Sequence, residues 1–225
     1  MTKTSKKSNI AQRRETARES GDQEYQQRRE QLLCVAGKIF REKGYDGASM
    51  NDFAKAIGID RASIYYYISG KEELFQAIVY EAVRANVLMI EAIRDGDDAP
   101  PDKVRKLIIG LMKSYETHYP YLYVYVQEDM ARISASSTAW AREMRKLSKR
   151  FDEATLDIVE QGIREGTIDA KGASAQMVAF AIVGMCNWSH RWFRPSGRIS
   201  AEVIGQQFAD VVLGGILAGG RAAGA

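Results

Sequence analysis

The chain has 225 residues, 45% of them hydrophobic, enough to bury a substantial core in one large domain or a small domain joined to a larger one. Its 32 Lys and Arg exceed its 29 Asp and Glu by only three. That mild basic balance argues against a protein that coats nucleic acid by bulk charge, and it leaves room for a local basic surface.

The two cysteines, Cys34 and Cys186, stand far apart with no CxxC, and there are only two histidines. Both thiols are expected as reduced core residues rather than as a metal or redox site. An apolar leader and a long uncharged apolar run are both missing, so a cytoplasmic protein with no membrane span is expected.

Residues 1–21 carry Lys3, Lys6, Lys7, Arg13, Arg14 and Arg18 among polar side chains. Such a segment buries too little surface to offset its ordering entropy, and a mobile basic arm is expected. It is either a solvated tail or an arm that touches phosphates or the minor groove. A first helix is predicted from about Asp22 to Lys43, with Leu32, Leu33, Ala36, Ile39 and Phe40 as its apolar stripe and Gly44 and Gly47 at its end.

Ser49 is placed to cap the next helix, on which Phe53, Ala54 and Ile57 share a face. Gly58 suits the left-handed residue of the turn, Ile59 plugs it, and Asp60 or Arg61 opens a short tyrosine-rich helix. Two short helices around such a turn form a helix-turn-helix, whose second helix fits the DNA major groove. Ser69 to Glu73 start a longer helix, apolar at Leu74, Ile78, Ala82, Ala85 and Met89, which Asp95 to Pro101 stop.

The remainder reads as helical throughout. Helices are predicted from Asp102 to about His118, over a short buried stretch from Tyr121 to Val126, and from about Ser137 to Glu165. Two more run from about Ser174 to Phe193 and from about Ser200 to Leu217, with a frayed tail at 220–225. The expected fold is all-α, with about nine helices.

The helix-turn-helix residues resemble the TetR family of bacterial transcriptional repressors. The match lies in Ser49, Phe53-Ala54, Gly58, Ile64-Tyr65-Tyr66-Tyr67-Ile68 and Lys71-Glu72-Glu73-Leu74, in that order and spacing. Two positions depart from the family pattern: Ala62 or Ser63 stands where Gly is frequent, and Ile68 where Phe is usual.

The resemblance implies a DNA-binding domain over 22–70 and a helical effector-binding and dimerisation domain over 71–219. By its helical position Tyr65 packs, and the resemblance adds that its hydroxyl reaches a phosphate. Lys71 resembles a phosphate-contacting lysine beside a helix N-terminus. Arg61, Ser63 and Tyr66 are expected at groove edges and Tyr67 toward the backbone, with Ser49, Met50 and Ala62 completing the set. One arginine with serine and tyrosine gives little direct base readout, so thymine methyls and DNA shape are expected to carry specificity.

A second resemblance lies in Asn187 to Gly197, Gly205-Gln206-Gln207-Phe208-Ala209 and Leu213-Gly214-Gly215. It is similar to the TetR subgroup that controls lipid, steroid and aromatic-acid catabolism and responds to acyl-coenzyme A thioesters. It implies ligand contacts from Trp188, Arg191 and Trp192, with a dimer-interface role the equal alternative for Arg191 between the two tryptophans. Tyr125, Gln127, Met130 and Phe151 are further expected pocket residues, on aromatic and methionine content alone.

Arg132, Arg142, Arg145, Lys146, Lys149 and Arg150 form a basic run. It is either a solvated face with i,i+4 pairs such as Lys149 to Glu153 or the basic mouth of an acyl-CoA site. Effectors of another hydrophobic kind, or none, are the alternatives. No nucleophile, general base or phosphate loop is present, so no catalytic residue, metal ligand or cofactor is expected.

Selective binding to operator DNA calls for a two-fold homodimer. The last two long helices are its expected interface, through Ala179, Ile182, Val183, Phe208, Val212 and Ile216. Gly184, Gly205, Gly214 and Gly215 are expected to permit close helix contact there.

Overall fold

A computed structural model describes residues 23–120, 122, 125–126 and 138–216. Among these there are eight α-helices and one short 3-10 helix, with no strand. The all-α expectation is met. The expected arm, the tail, Gln127, Met130 and Arg132 lie outside the described residues.

The described chain divides into two compact units at Val79/Tyr80. The first contains α1 (Gln23–Gly47), α2 (Met50–Ala56) and α3 (Arg61–Tyr67). Helix α4 (Lys71–Asp95) begins in the first unit and contributes residues to both. Its apolar period closes the first core with Leu74, Phe75, Ile78 and Val79.

In that core the ring of Phe40 meets Phe53 at 5.2 Å and Phe75 at 6.0 Å between centroids. Leu32, Ile64 and Ile68 are also fully buried. Ile68 therefore fills a core position, as a substitute for the family's Phe must. Gly44 leaves helical geometry at φ 72°, which re-aims the chain toward Ser49.

The second unit contains the rest of α4 with α5 (Pro100–Thr117), α6 (Ala139–Arg164), α7 (Ala175–Trp188), the 3-10 turn Ser189–Arg191 and α8 (Ala201–Ile216). Proline starts α5, where a missing N–H costs nothing. Thr138 and Ser174 cap α6 and α7 through their hydroxyls.

Helix α5 is the central element, packed on α6, α7 and α8 through Val104, Leu107, Ile108, Leu111 and Met112. The expected short helix over 121–126 is described only at Leu122, Tyr125 and Val126, of which the first two are buried.

Three expectations are corrected. Cys34 is exposed, because it lies off the Leu32–Ala36–Phe40 stripe of α1, whereas Cys186 is buried and its thiol pKa is pushed up to about 12 by desolvation.

Gly205 does permit close helix contact, but within the chain. A Cβ there would stand 2.8 Å from the Cα of Ile109 on α5. Gly184, Gly214 and Gly215 face open space.

Ala179 and Ile182, expected at an interface, are already buried in this chain's own core. The exposed apolar side chains of α7 and α8 are instead Met177, Phe180, Trp188, Val203 and Val211.

Candidate DNA-binding surface and effector cavity

Both helix starts of the helix-turn-helix are capped by a side chain visible in the sequence. Ser49 Oγ accepts from the N–H of Asp52, and Asp52 Oδ2 accepts from the N–H of Ser49 at 2.9 Å, a reciprocal capping box. Lys43 adds an ion pair to Asp52 at 2.5 Å. The Lys43 ammonium first, then the Ser49 hydroxyl and N–H, hold the Asp52 carboxyl down at about 2.

Beyond the end of α2 the chain turns at Gly58, φ 71°, where the N–H of Ile59 donates to the carbonyl of Ala54. Asp60 then caps α3, its Oδ1 accepting from the N–H groups of Ala62 at 2.8 Å and Ser63 at 2.9 Å. Ser63 Oγ donates to the same carboxylate, and with the Ser63 N–H it lowers the Asp60 pKa.

The side chains of α3 sort accordingly. Ile64 is fully buried, whereas Arg61, Ala62 and Ser63 are exposed at its first turn. The Ser63 hydroxyl is partly spent on Asp60 but keeps acceptor capacity. Tyr65, Tyr66 and Tyr67 are all half-buried.

Tyr66 and Tyr67 share a partner that local sequence does not reveal. The Tyr25 ring of α1 meets Tyr66 edge-on at 5.4 Å, stacks on Tyr67 at 5.5 Å, and its hydroxyl donates to the Tyr67 carbonyl. Tyr66, expected at a groove edge, is thus also a packing residue.

Lys71 opens α4, with its ammonium 4.4 Å from the Tyr45 ring centroid and donating to the Tyr45 carbonyl at 2.8 Å. Ser49 is exposed and Met50 half-buried at the start of α2.

The second unit holds a cavity of about 490 Å³, of the size that takes small-molecule ligands. A broad face of α6 lines it with Arg145, Ser148, Lys149, Asp152, Glu153, Thr155 and Leu156, of which Asp152 and Glu153 are exposed. Ala179, Phe180 and Val183 of α7 and the buried Tyr125 supply apolar wall.

A smaller cavity of about 110 Å³ is lined by Val83 and Asn86 of α4, Tyr115 of α5, Phe151 and Asn187, among others. Tyr125, Ser148, Asp152 and Val183 belong to both. The Tyr115 hydroxyl donates to the Asn187 side chain.

Tyr125 and Phe151 therefore meet at the cavities. Trp188, Arg191 and Trp192 do not. Trp188 and Trp192 are 60% and 49% exposed, and the Arg191 guanidinium sits 5.0 Å from the Trp188 ring. Composition alone favoured rings and methionine over Asp152, Asn86, Tyr115 and Asn187, which only the packing of four helices brings together.

The first family model to match, the tetR family of bacterial regulatory proteins, covers residues 32–78. A second, the tetracyclin repressor-like C-terminal domain, covers residues 97–216, more than half of the chain. The chain belongs to the TetR family.

As a TetR-family member it is a DNA-binding transcriptional regulator and not an enzyme. Among curated relatives, the HTH-type transcriptional repressor KstR2 of Mycobacterium tuberculosis is 26% identical over 84% of this chain and 92% of its own length. The structure of that ketosteroid transcriptional regulator matches with a TM-score of 0.71, covering 84% of this chain and 95% of the other.

The regulator PfmR from Thermus thermophilus is 28% identical with a TM-score of 0.69, covering 81% of this TetR-family chain and 96% of its own. A TetR/AcrR regulator from Thermobifida fusca is also 28% identical, with a TM-score of 0.71 over 84% and 98% of the two chains. Among the described residues no helix is long and apolar enough to cross a membrane, and no cluster of three or more His, Cys, Asp or Glu is arranged to hold a metal.

Proposed function

We propose that this TetR-family regulator is a homodimeric repressor released from its operator by an amphipathic effector, an acyl-CoA thioester, held in the cavities of the second unit. Residues 22–70 form its DNA-binding domain and 71–219 its effector-binding and dimerisation domain. The observation that carries the effector reading is the 490 Å³ cavity, whose apolar wall of Tyr125, Leu156, Ala179, Phe180 and Val183 adjoins Arg145 and Lys149, with Asp152 and Glu153 beside them. An apolar acyl group with an anionic carrier asks for that combination. Similarity to a ketosteroid regulator supports a bulky apolar acyl group.

On the DNA side, Arg61, Ala62, Ser63 and Tyr66 meet the groove, and Ser49, Met50, Tyr65, Tyr67 and Lys71 hold the backbone. Their support is exposure at the first turn of α3 and the rigid caps on either side of Gly58. Exposed Met177, Phe180 and Trp188 on α7 and Val203 and Val211 on α8 support an interface of these two helices with a second copy. We assign Trp188, Arg191 and Trp192 to that face, because they lie outside both cavities.

An effector shifts the balance between DNA-binding and released conformers only by its differential affinity for the two. Helix α4 carries the shift.

The test is binding of the purified protein to its own upstream DNA against a panel of acyl-CoA thioesters and the matching free acids. Release by a thioester and not by its free acid is the expected result. Tight binding unmoved by every thioester discards the CoA effector while the repressor stands.

A further inference from the structure

The smaller cavity, about 110 Å³, differs in chemistry from the larger one. Of the eight residues that line it alone, five are apolar. The other three, Asn86 of α4, Tyr115 of α5 and Asn187 of α7, are polar without carrying charge. The charged groups Arg145, Lys149, Asp152 and Glu153 all line the larger cavity, where Asp152 and Glu153 are exposed to water. An anionic carrier therefore belongs with the larger cavity and a neutral apolar end with the smaller.

Of the two amides, only that of Asn187 is held by a hydrogen bond among the described residues. The hydroxyl of the buried Tyr115 donates its proton to the Asn187 side-chain oxygen. The backbone beneath is fixed as well, since the Asn187 carbonyl at the end of α7 accepts from the N–H of Ser189 and lies 2.8 Å from His190 Nδ1. With its oxygen bound, the amide offers its N–H groups as donors, and it cannot turn round without giving up Tyr115.

Water satisfies those N–H groups while no ligand is bound. A ligand that fills so small a space displaces the water, and then either brings an acceptor or leaves the donor unpaired. Selectivity arises from that choice and not from any need of the free protein.

Resting on the effector reading above, we propose that Asn187, oriented by Tyr115, is a specificity-determining residue, which donates a hydrogen bond to a carbonyl oxygen on the apolar end of the effector. The neighbouring walls, Leu111, Leu122, Val126 and Phe151, ask for hydrocarbon around that oxygen, and the volume admits a single carbocyclic ring or a short chain end. A ketone fits; the matching hydrocarbon strands the amide. Discrimination of this kind is large, because it rests on a polar group left unpaired rather than on lost contact area.

The experiment uses two matched pairs, 5β-cholanic acid with its 3-oxo derivative and dodecanoic acid with 11-oxododecanoic acid, in which the ketone lies far from the acid. Each is titrated as free acid and as coenzyme A thioester into the full-length protein by calorimetry. The variants are Asn187→Leu, Tyr115→Phe and the cavity-filling Val183→Trp, each first checked by melting.

In the parent protein at least one keto compound is expected to bind about tenfold more tightly than its hydrocarbon partner. Asn187→Leu brings the ratio to within about twofold, chiefly by tightening the hydrocarbon compound. Tyr115→Phe keeps the ring but frees the amide to turn, and its ratio falls between. A purely structural role for the pair would weaken both compounds alike and leave the ratio at its parental value.

A keto preference that either variant leaves at its parental value overturns the proposal. So does binding without any preference in the parent. If that binding is still abolished by Val183→Trp, the cavity reading survives alone. Binding that Val183→Trp leaves intact, or no binding by any of the eight compounds, overturns both.

Discussion

Asp52 does three jobs with one carboxylate. It accepts from the Ser49 N–H, from the Ser49 hydroxyl at 2.6 Å and from Lys43 at 2.5 Å. Its folded pKa of about 2 lies below the ordinary value of 3.8, so it contributes stability that is present above about pH 4 and is lost as pH falls toward 2. Asp52→Asn is therefore expected to lower the melting temperature of the first unit at pH 7 and to leave it nearly unchanged at pH 2, as followed by circular dichroism. An equal loss at both pH values would show that the side chain acts through shape and not charge. The Ser49–Asp52 spacing is legible in the sequence as a capping box. Lys43 is not, because its distance from Asp52 is set by the reversal of the chain at Gly44.

Between elements, close approach and cross-ties matter more than any single cap. Helix α8 lies against α5 because Gly205 has no side chain to hold them apart, and the atom it would strike is backbone, the Cα of Ile109. Backbone cannot rotate away. Gly205→Ala is expected to destabilise the second unit by about 1–3 kcal/mol despite the better helix propensity of alanine, as measured by urea unfolding.

A different kind of tie joins α4 to α6, where Arg150 grips Glu91 through two hydrogen bonds of 2.9 and 2.7 Å. The guanidinium holds the Glu91 carboxyl below the usual range. A partly exposed pair contributes little to stability, but this one links the helix shared by both units to the helix that lines the cavity. On the proposed mechanism Arg150→Gln leaves effector affinity for the free protein unchanged and weakens release from DNA. By reciprocity, effector affinity then becomes nearly the same with and without operator. If calorimetry finds the DNA-dependent difference intact, α4 receives the signal by another route.

For the molecule as a whole, the proposed second copy would cover the exposed apolar side chains of α7 and α8. Val211 is 71% exposed and Met177 59%, while Ala179, Ile182 and Ala209 on the same helices are spent on the chain's own core. A charge set in a two-fold interface meets its own copy across the axis or is buried without a partner. On the proposed homodimer, Val211→Asp is expected to convert dimer to monomer in sedimentation and to abolish tight operator binding, with the helical content of the monomer retained. A Val211→Asp protein that remains dimeric moves the interface elsewhere.

The helices and the family are written in the chain itself. Caps, glycine turns and apolar periods are local, so Ser49, Gly58, Asp60 and the stripes of α1 and α4 announce helices without any knowledge of neighbours. The helix-turn-helix is legible for the same reason, being a motif spelled over a few consecutive turns.

Which side chains meet is settled by packing. Tyr25 finds Tyr66 and Tyr67 across more than forty positions of chain, and Cys34 is exposed although it stands among apolar residues. Asp152 reads as one charge in a basic run, and only the packing of α6 against its neighbours makes this exposed residue part of the lining of two cavities. Helical period says which residues share a face, but the rotation of each helix against its neighbours, set by close approaches such as Gly205 on Ile109, decides what that face meets.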